Sequence, residues 1–348
     1  MSSLRVIFIT PSFHPRTGGV EKHVINTAVK LAELGHEVTI LVRFDDTIPL
    51  QQSVMGLRAY RLPKQLSRSS LLIWALLHIR ILLRANVIHS HDVYIHFWQQ
   101  LFPKKRFVHT FHGYEGYPVG PDAIKARQFI RSRVPICIGI GQFIEKWYGT
   151  PLDYVIYGAT EQPVSDLRAS VKTIQWDALF FGRLENDTGF AAYLEGFDLI
   201  SKRQPKAKLM VLGSGSLSQW AKDYIEKHGL SAELHDPVES VLPYLDQSSV
   251  AFVSGYLSII EAGSRSIPII AYYGTPIKRD YLDCHPMSKN FSIANSAEDI
   301  ANHYFELIDP QDKQAKKKLA TMTSWSSKQT WDKVAALYDS IYKSGTIV

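Results

Sequence analysis

The sequence predicts an α/β protein built as two doubly wound parallel-sheet domains in tandem. Three observations carry that expectation. The chain has 348 residues, long for a single hydrophobic core. Short β-branched runs alternate with amphipathic helical stretches, which is the rhythm of βαβ units. That rhythm weakens in a polar stretch near 153–170 and starts afresh at Asp177.

The elements follow in order. "LRVIFIT" (4–10) is a short run of the buried-strand type. After the loop "PSFHPRTGG", apolar residues at Val20, Val24, Ala28, Leu31 and Leu34 recur at helical spacing, with Gly35 placed to end the helix. "HEVTILV" completes the first βαβ unit. "NVIHS" (86–90), "RFVHTF" (106–111) and "PICIGI" (135–140) are further strands, separated by helical patterns. The second phase runs through "DALFFGRL" (177–184), "KLMVLGSGS", the helix "LSQWAKDYIEKHG", "VAFVSG", the helix "SIIEAGSRS" and "PIIAYY". A last amphipathic helix is expected in "QTWDKVAALYDSIYKSG". Ligands of such sheets bind beyond the carboxyl ends of the strands, so two of them facing each other are expected to frame a cleft.

Composition narrows the class. An apolar share of 45% and a charged share of 21% are ordinary for a globular protein. Cys137 and Cys284 are far apart and have no metal-ligand or CxxC spacing, which argues for a reducing, cytoplasmic compartment. The apolar run after Arg5 stops at Pro11, too short for a secretory signal. "LLIWALLHIRILL" (71–83) contains His78 and Arg80 and is too short to span a bilayer. A buried helix is the preferred reading of this stretch, and a membrane-surface helix is its rival.

Charge is unevenly distributed. Residues 1–157 hold 19 Lys and Arg against 10 Asp and Glu, a net +9, and the remainder hold 20 against 23, a net −3. The basic half suggests an anionic partner such as a membrane surface or a lipid-linked phosphate, although solvated helix faces give the same count. Candidate contacts are Arg58, Arg61, Lys64, Arg68, Arg80 and Arg84. A nucleic acid is not the expected partner.

Six motifs then appear in a fixed order: "GGVEKHV", "VIHSH", "TFHGY", "FFGRL", "LGSGS" and "SIIEAGSRSIPII". In that order and spacing the chain resembles the retaining glycosyltransferases of the GT-B fold, family 4, over nearly its whole length. The resemblance implies an acceptor domain at 1–157, joined by a crossover helix at 328–348, and a nucleotide-sugar domain at 165–327. It implies transfer of a sugar from a nucleoside-diphosphate-sugar to an acceptor hydroxyl, with a glycan or a lipid-linked acceptor as partner. It further implies no obligatory metal and no other cofactor. Together with the cysteine usage and the basic first half, it leads to the expectation of a cytoplasmic enzyme lying peripherally at the cytoplasmic membrane face.

Individual residues fit that chemistry. Gly18 and Gly19 open a helix after the first strand, where unpaired amides and the helix dipole favour an anion; the resemblance puts this turn against the donor phosphates, and a plain tight turn is the alternative. His112, in "TFHGY", follows a strand end, and a histidine there can donate to a sugar hydroxyl or a departing phosphate; a lone histidine is more often structural, and the resemblance to the family's histidine-glycine turn favours the functional reading. Arg183, in "FFGRL", offers a guanidinium suited to bidentate contact with a diphosphate; a surface ion pair is the alternative. Gly213 and Gly215 begin a strand-to-helix turn that suits a nearby nucleotide or close backbone packing equally. Gly255, Tyr256 and Ser258 form a turn whose amides can hold phosphate or sugar oxygens. Glu261 matches the second of two family glutamates, where a carboxylate accepts both ribose hydroxyls; a helix-terminal acid stabilised by the dipole is the bland alternative.

The chain departs from the family at two places. Thr188 stands where a lysine usually follows the arginine, and Val253 replaces the first glutamate, which faces the transferred sugar. Lys278 or Arg279, near a comparable strand end, could replace the missing lysine. The two losses keep open a non-catalytic nucleotide-sugar-binding partner subunit and a sugar-nucleotide epimerase. Neither glycine-rich turn completes G-x-G-x-x-G, so an NAD-dependent oxidoreductase is disfavoured. Glu185 and Asp187 mimic a metal-binding acid pair, and His89 and His91 mimic metal ligands, but no set of further ligands is evident around the histidines in the sequence.

Overall fold

A computed structural model of the chain describes residues 3–16, 18–46, 48–95, 97–161, 173–309 and 311–344. It divides into two compact units, Met1–Gly158 with Trp331–Val348, and Ala159–Thr330.

The first unit runs β1 (Arg5–Thr10), α1 (Gly19–Glu33), β2 (Glu37–Val42), β3 (Gln51–Val54), β4 (Leu57–Arg61), α2 (Arg68–Leu77), α3 (Ile79–Arg84), β5 (Val87–His91), α4 (Phe97–Leu101), β6 (Arg106–Phe111), α5 (Pro121–Arg131), β7 (Ile136–Ile140), α6 (Phe143–Tyr148) and β8 (Tyr154–Ile156). Its sheet is ordered β3-β4-β2-β1-β5-β6-β7-β8 and is parallel except where β3 pairs with β4. Strands covered on both faces need no alternation, which is why β1 and β5 read as continuous apolar or neutral runs. The β3–β4 hairpin was missing from the strand pattern. Met55 and Gly56 take φ of 50° and 79°, the two-residue turn that antiparallel neighbours favour.

The stretch 71–83 is not the buried helix preferred from sequence. It breaks at His78, and only Leu71, Trp74, Ala75 and Leu82 turn inward. Leu72, Ile73, Leu76, Leu77 and Leu83 face solvent, Leu77 with 77% of its surface exposed. An inner stripe at i, i+3 and i+4 uses one face of a 3.6-residue period, so further apolar residues fall on the other face. No helix of the described residues is long and apolar enough to cross a membrane.

The second unit runs β9 (Trp176–Phe181), α7 (Phe190–Arg203), β10 (Leu209–Leu212), α8 (Ser218–His228), β11 (Ala232–His235), α9 (Leu242–Leu245), β12 (Ser248–Phe252), α10 (Tyr256–Ser264), β13 (Ile269–Tyr272), α11 (Pro276–Asp283), β14 (Ser292–Ala294), α12 (Ala297–Leu307) and α13 (Lys313–Ser326). The final helix, α14 (Trp331–Lys343), belongs to the first unit, where it packs on α1. The second sheet is parallel throughout, ordered β11-β10-β9-β12-β13-β14. Phe180, Tyr193, Phe197, Phe252 and Ile270 centre its core. Of the polar stretch near 153–170, β8 is an ordered edge strand and 162–170 lies outside the described residues.

Candidate active site

Strand order reverses at β1/β5 in the first sheet and at β9/β12 in the second, and ligands of such sheets settle at these switch points. The loops that follow those strands are therefore the places to examine.

At the first switch point, His91 ends β5, Asp92 follows it with φ of 51°, and His112 follows β6. His91 Nδ1 and His112 Nε2 lie 2.8 Å apart, so one ring donates, the other accepts, and their tautomers are coupled. The His112 amide donates to Asp92 Oδ1 at 3.1 Å. His23 of α1 meets the His112 ring edge-on at 4.8 Å, and its Nε2 lies 2.9 Å from the Tyr338 hydroxyl of α14. His89 lies 2.6 Å from the Tyr342 hydroxyl and 2.8 Å from that of Thr110. Burial holds His23, His89 and His91 well below the ordinary imidazole range, and it pushes His112 down to about 3. These rings act as neutral hydrogen-bonding groups. Burial also raises the Asp92 carboxyl to about 6, against the pull of Arg127 and of the His112 amide.

The Gly18–Gly19 turn sits beside this cluster, but the anion set there is the chain's own. Glu21, in the first turn of α1, accepts from the Ser12 hydroxyl, and its carboxylate fills the space over Gly18. A donor phosphate would meet that charge. His23, Tyr338 and Tyr342 were not singled out in the sequence. Their only signal there was placement on the inward faces of two amphipathic helices.

At the second switch point, Arg183 follows β9 with its side chain 59% exposed and its guanidinium paired to Asp187 at 2.6 Å. Thr188, five residues on, donates its hydroxyl to the Arg183 carbonyl at 2.8 Å. Glu185 is spent on the neighbouring loop, where it accepts from the Ser216 amide at 2.8 Å and from the Ser216 hydroxyl, which together hold its carboxyl below the usual range. The supposed acid pair therefore does not converge. Gly213, with φ of 153°, has a packing reason: a side chain there would strike the Gly182 carbonyl. A side chain at Gly215 would strike the Leu184 carbonyl, and its amide already donates to Ser218 Oγ at 3.0 Å.

The loop after β12 adjoins the Arg183 loop, because Ser254 Oγ donates to the Thr188 carbonyl at 3.1 Å. Gly255 caps α10, and Gly255 and Ser258 are half-buried. Tyr256 differs from its expected role. Its ring stacks on Tyr281 at 3.8 Å, and its amide donates to the Tyr281 hydroxyl at 2.8 Å, so side chain and amide are both taken up inside the fold. Glu261 is a buried carboxylate on α10. Val253 is 2% exposed and part of the core, and its isopropyl group offers a sugar no hydrogen bond. Of the two candidate replacement cations, Lys278 turns inward to this loop, whereas Arg279 pairs with Asp283 at 3.5 Å.

A metal could be held elsewhere. His23, His91 and His112 each offer a nitrogen, all within 4.8 Å of one another, a grouping the linear sequence concealed. Two of these rings bond each other and the third meets Tyr338, so the set is also satisfied largely without an ion.

Two parallel doubly wound units, each with a polar switch point, have the architecture of the GT-B glycosyltransferases. Residues 17–146 match Glycosyltransferase Family 4, and residues 168–321 match Glycosyl transferases group 1. The chain belongs to this family and is a glycosyltransferase. Its fold is similar to that of a glycosyltransferase from Rickettsia africae ESF-5, at 14% identity over 99% of this chain and 98% of that one, with a TM-score of 0.73. It is also similar to Anabaena Alr3699/HepE in complex with UDP and glucose (11% identity, 99% and 100% coverage, TM-score 0.72). A third likeness is to the pneumococcal O-GlcNAc transferase GtfA in complex with UDP and GlcNAc (9% identity, 99% of both chains, TM-score 0.71). No curated protein matches the chain by sequence.

Proposed function

We propose that the chain is a retaining, metal-independent hexosyltransferase whose second unit binds a nucleoside-diphosphate-sugar and whose first unit takes a lipid-linked glycan or glycolipid at an anionic membrane surface. The observation that carries the donor half is the exposed guanidinium of Arg183 at the β9/β12 switch point, beside the start of α10.

Breaking the bond between the sugar's anomeric carbon and the diphosphate sends the electron pair to the diphosphate. Preorganised cations and amides aimed at that developing charge lower the barrier. Arg183 fills this role, and trading Asp187 for phosphate oxygens keeps its charge paired. Glu261 accepts the ribose hydroxyls. His112, neutral and hydrogen-bonded to His91, presents a hydrogen bond rather than a charge to the sugar or acceptor. With no protein nucleophile assigned, retention requires attack from the face the diphosphate leaves. Two of the similar structures are complexes with UDP, which makes UDP-glucose and UDP-GlcNAc the first donors to test.

The acceptor half draws on the outward face of α2 and α3, where five exposed aliphatic side chains share a surface with Arg68, Arg80 and Arg84. Aliphatics entering the headgroup region and arginines meeting anionic lipid suit that face to a membrane. Arg61 does not join it, being bonded to the carbonyls of Asp45 and Ile48.

The test is donor turnover with and without EDTA, the anomeric configuration of the product by proton NMR, and flotation with anionic vesicles. Retained configuration, indifference to EDTA and vesicle binding are expected. An inverted product, or activity abolished by EDTA and restored by Mn²⁺, would overturn the mechanism. Indifference to vesicles at low salt would overturn the membrane acceptor.

A further inference from the structure

With threonine at 188, the loop after β9 carries one cation, Arg183, where the family resemblance leads one to expect two. A second cation reaches that loop from a different element. Lys278 lies in the first turn of α11, where its amide donates to the capping Thr275 hydroxyl at 3.3 Å. Its side chain runs inward and is 8% exposed over the whole residue. Nζ donates to the Ser254 carbonyl at 2.6 Å, and Ser254 Oγ in turn donates to the Thr188 carbonyl. A single residue thus links the Lys278 ammonium to the backbone of position 188.

The surroundings of this lysine suit a visiting anion. Buried ammonium groups are costly unless paired with an opposite charge. Among the described residues, Nζ donates to a neutral carbonyl and lies over the face of Tyr281 at 4.1 Å, and no carboxylate pairs with it. Burial lowers its ammonium to about 7; Asp187 opposes that shift and Arg183 adds to it, so both loop charges reach it through space. An ammonium has three donors, and one hydrogen bond to Ser254 leaves capacity for oxygens of an anion.

We propose that Lys278 is a catalytic residue whose ammonium contacts the leaving diphosphate of the donor, supplying from α11 the cation that position 188 lacks. This rests on the nucleotide-sugar reading of the second unit. A lysine that merely ties α11 to the Ser254 turn would contribute to folding but would not distinguish a diphosphate from a monophosphate.

The experiment is calorimetric titration of the full chain with UDP, GDP, ADP and dTDP, then with the monophosphate of whichever binds best. Wild type is compared with Lys278→Met and Lys278→Arg, alongside thermal unfolding without ligand. Lys278→Met is expected to weaken the diphosphate at least about tenfold and the monophosphate far less, with Lys278→Arg recovering part of the loss. Lys278→Arg keeps the charge, so it separates a lost cation from a disturbed fold. Diphosphate affinity and turnover unchanged in Lys278→Met, or equal loss of both nucleotides, would each overturn the assignment. If wild type binds one of the diphosphates, such a failure sinks Lys278 alone. If it binds none of the four, the nucleotide-sugar reading falls with it.

Discussion

At the β1/β5 switch point, the strand ends deliver histidines under a lid of tyrosines from α14, and burial keeps the rings neutral. At the β9/β12 switch point, the same kind of topology delivers an exposed arginine and an inward lysine to adjoining loops. Strand order brings loops together in both units, and side-chain chemistry then decides what each pair of loops can stabilise. Neutral imidazoles can orient hydroxyls but contribute little to a developing dianion. A guanidinium and an ammonium do the reverse. On the proposed reading, the contrast divides the work: the second unit stabilises the charge of the leaving diphosphate, and the neutral rings of the first unit orient an acceptor hydroxyl.

The largest test of that division is Arg183→Ala. Removing one preorganised donor from a developing charge costs about 10²–10³ in turnover, and steady-state donor consumption should fall by that much. A fall under twofold would break the division. Next in size is the outward face of α2 and α3. Replacing Arg80 and Arg84 by glutamine removes about 1 kcal/mol of attraction per residue to an anionic surface, so vesicle affinity should drop roughly thirtyfold at low salt. Turnover with a water-soluble acceptor should stay as it was. Equal loss of both would mean that these arginines serve the fold.

Glu261→Gln should weaken nucleoside-diphosphate binding about tenfold, the worth of a charged hydrogen bond to a diol. Calorimetry with the 2′-deoxy nucleotide sharpens this: wild type should discriminate against it and the variant should not. The last test is a pH dependence of stability. Burial depresses His109 and His112 of the first unit to about 3, so the folded chain refuses protons that the unfolded chain accepts below about 6.5. Stability from these groups is complete above pH 6.5 and is lost progressively as pH falls toward 3. The second unit has a similar buried ring in His285, also near 3, but lacks the cluster. Between pH 7 and 5, hydrogen exchange should therefore show protection lost earlier in β5 and β6 than in β9 and β12. Equal loss would contradict the contrast.

Much of the fold was legible because its signals are local. β1, β6, β9 and β13 are runs of branched or aromatic residues, α1 and α8 end at glycines, and the motif order pointed to the family. The β3–β4 hairpin was missed because Gln51–Val54 carries no apolar alternation. The outward side of 71–83 was missed because an apolar run gives no sign of which face is covered. At the site, Arg183 and Glu261 could be singled out by type and position. The roles of Tyr256, Gly213 and Gly215 could not, since a buried stacking partner or a crossing carbonyl is invisible in a linear string.

The sequence by itself determined the alternation of strands and helices, the family and the absence of two expected charged residues, since each depends on neighbours within a few turns of chain. Only the tertiary structure decided that three histidines gather beneath α14, or that Lys278 lies one residue from Thr188. The latter contact links Thr188 to Ser254 across 66 residues and Ser254 to Lys278 across 24. Strand order, rather than local propensity, brings such segments together. An ammonium lost from one loop can therefore return from another without any trace in the pattern of either.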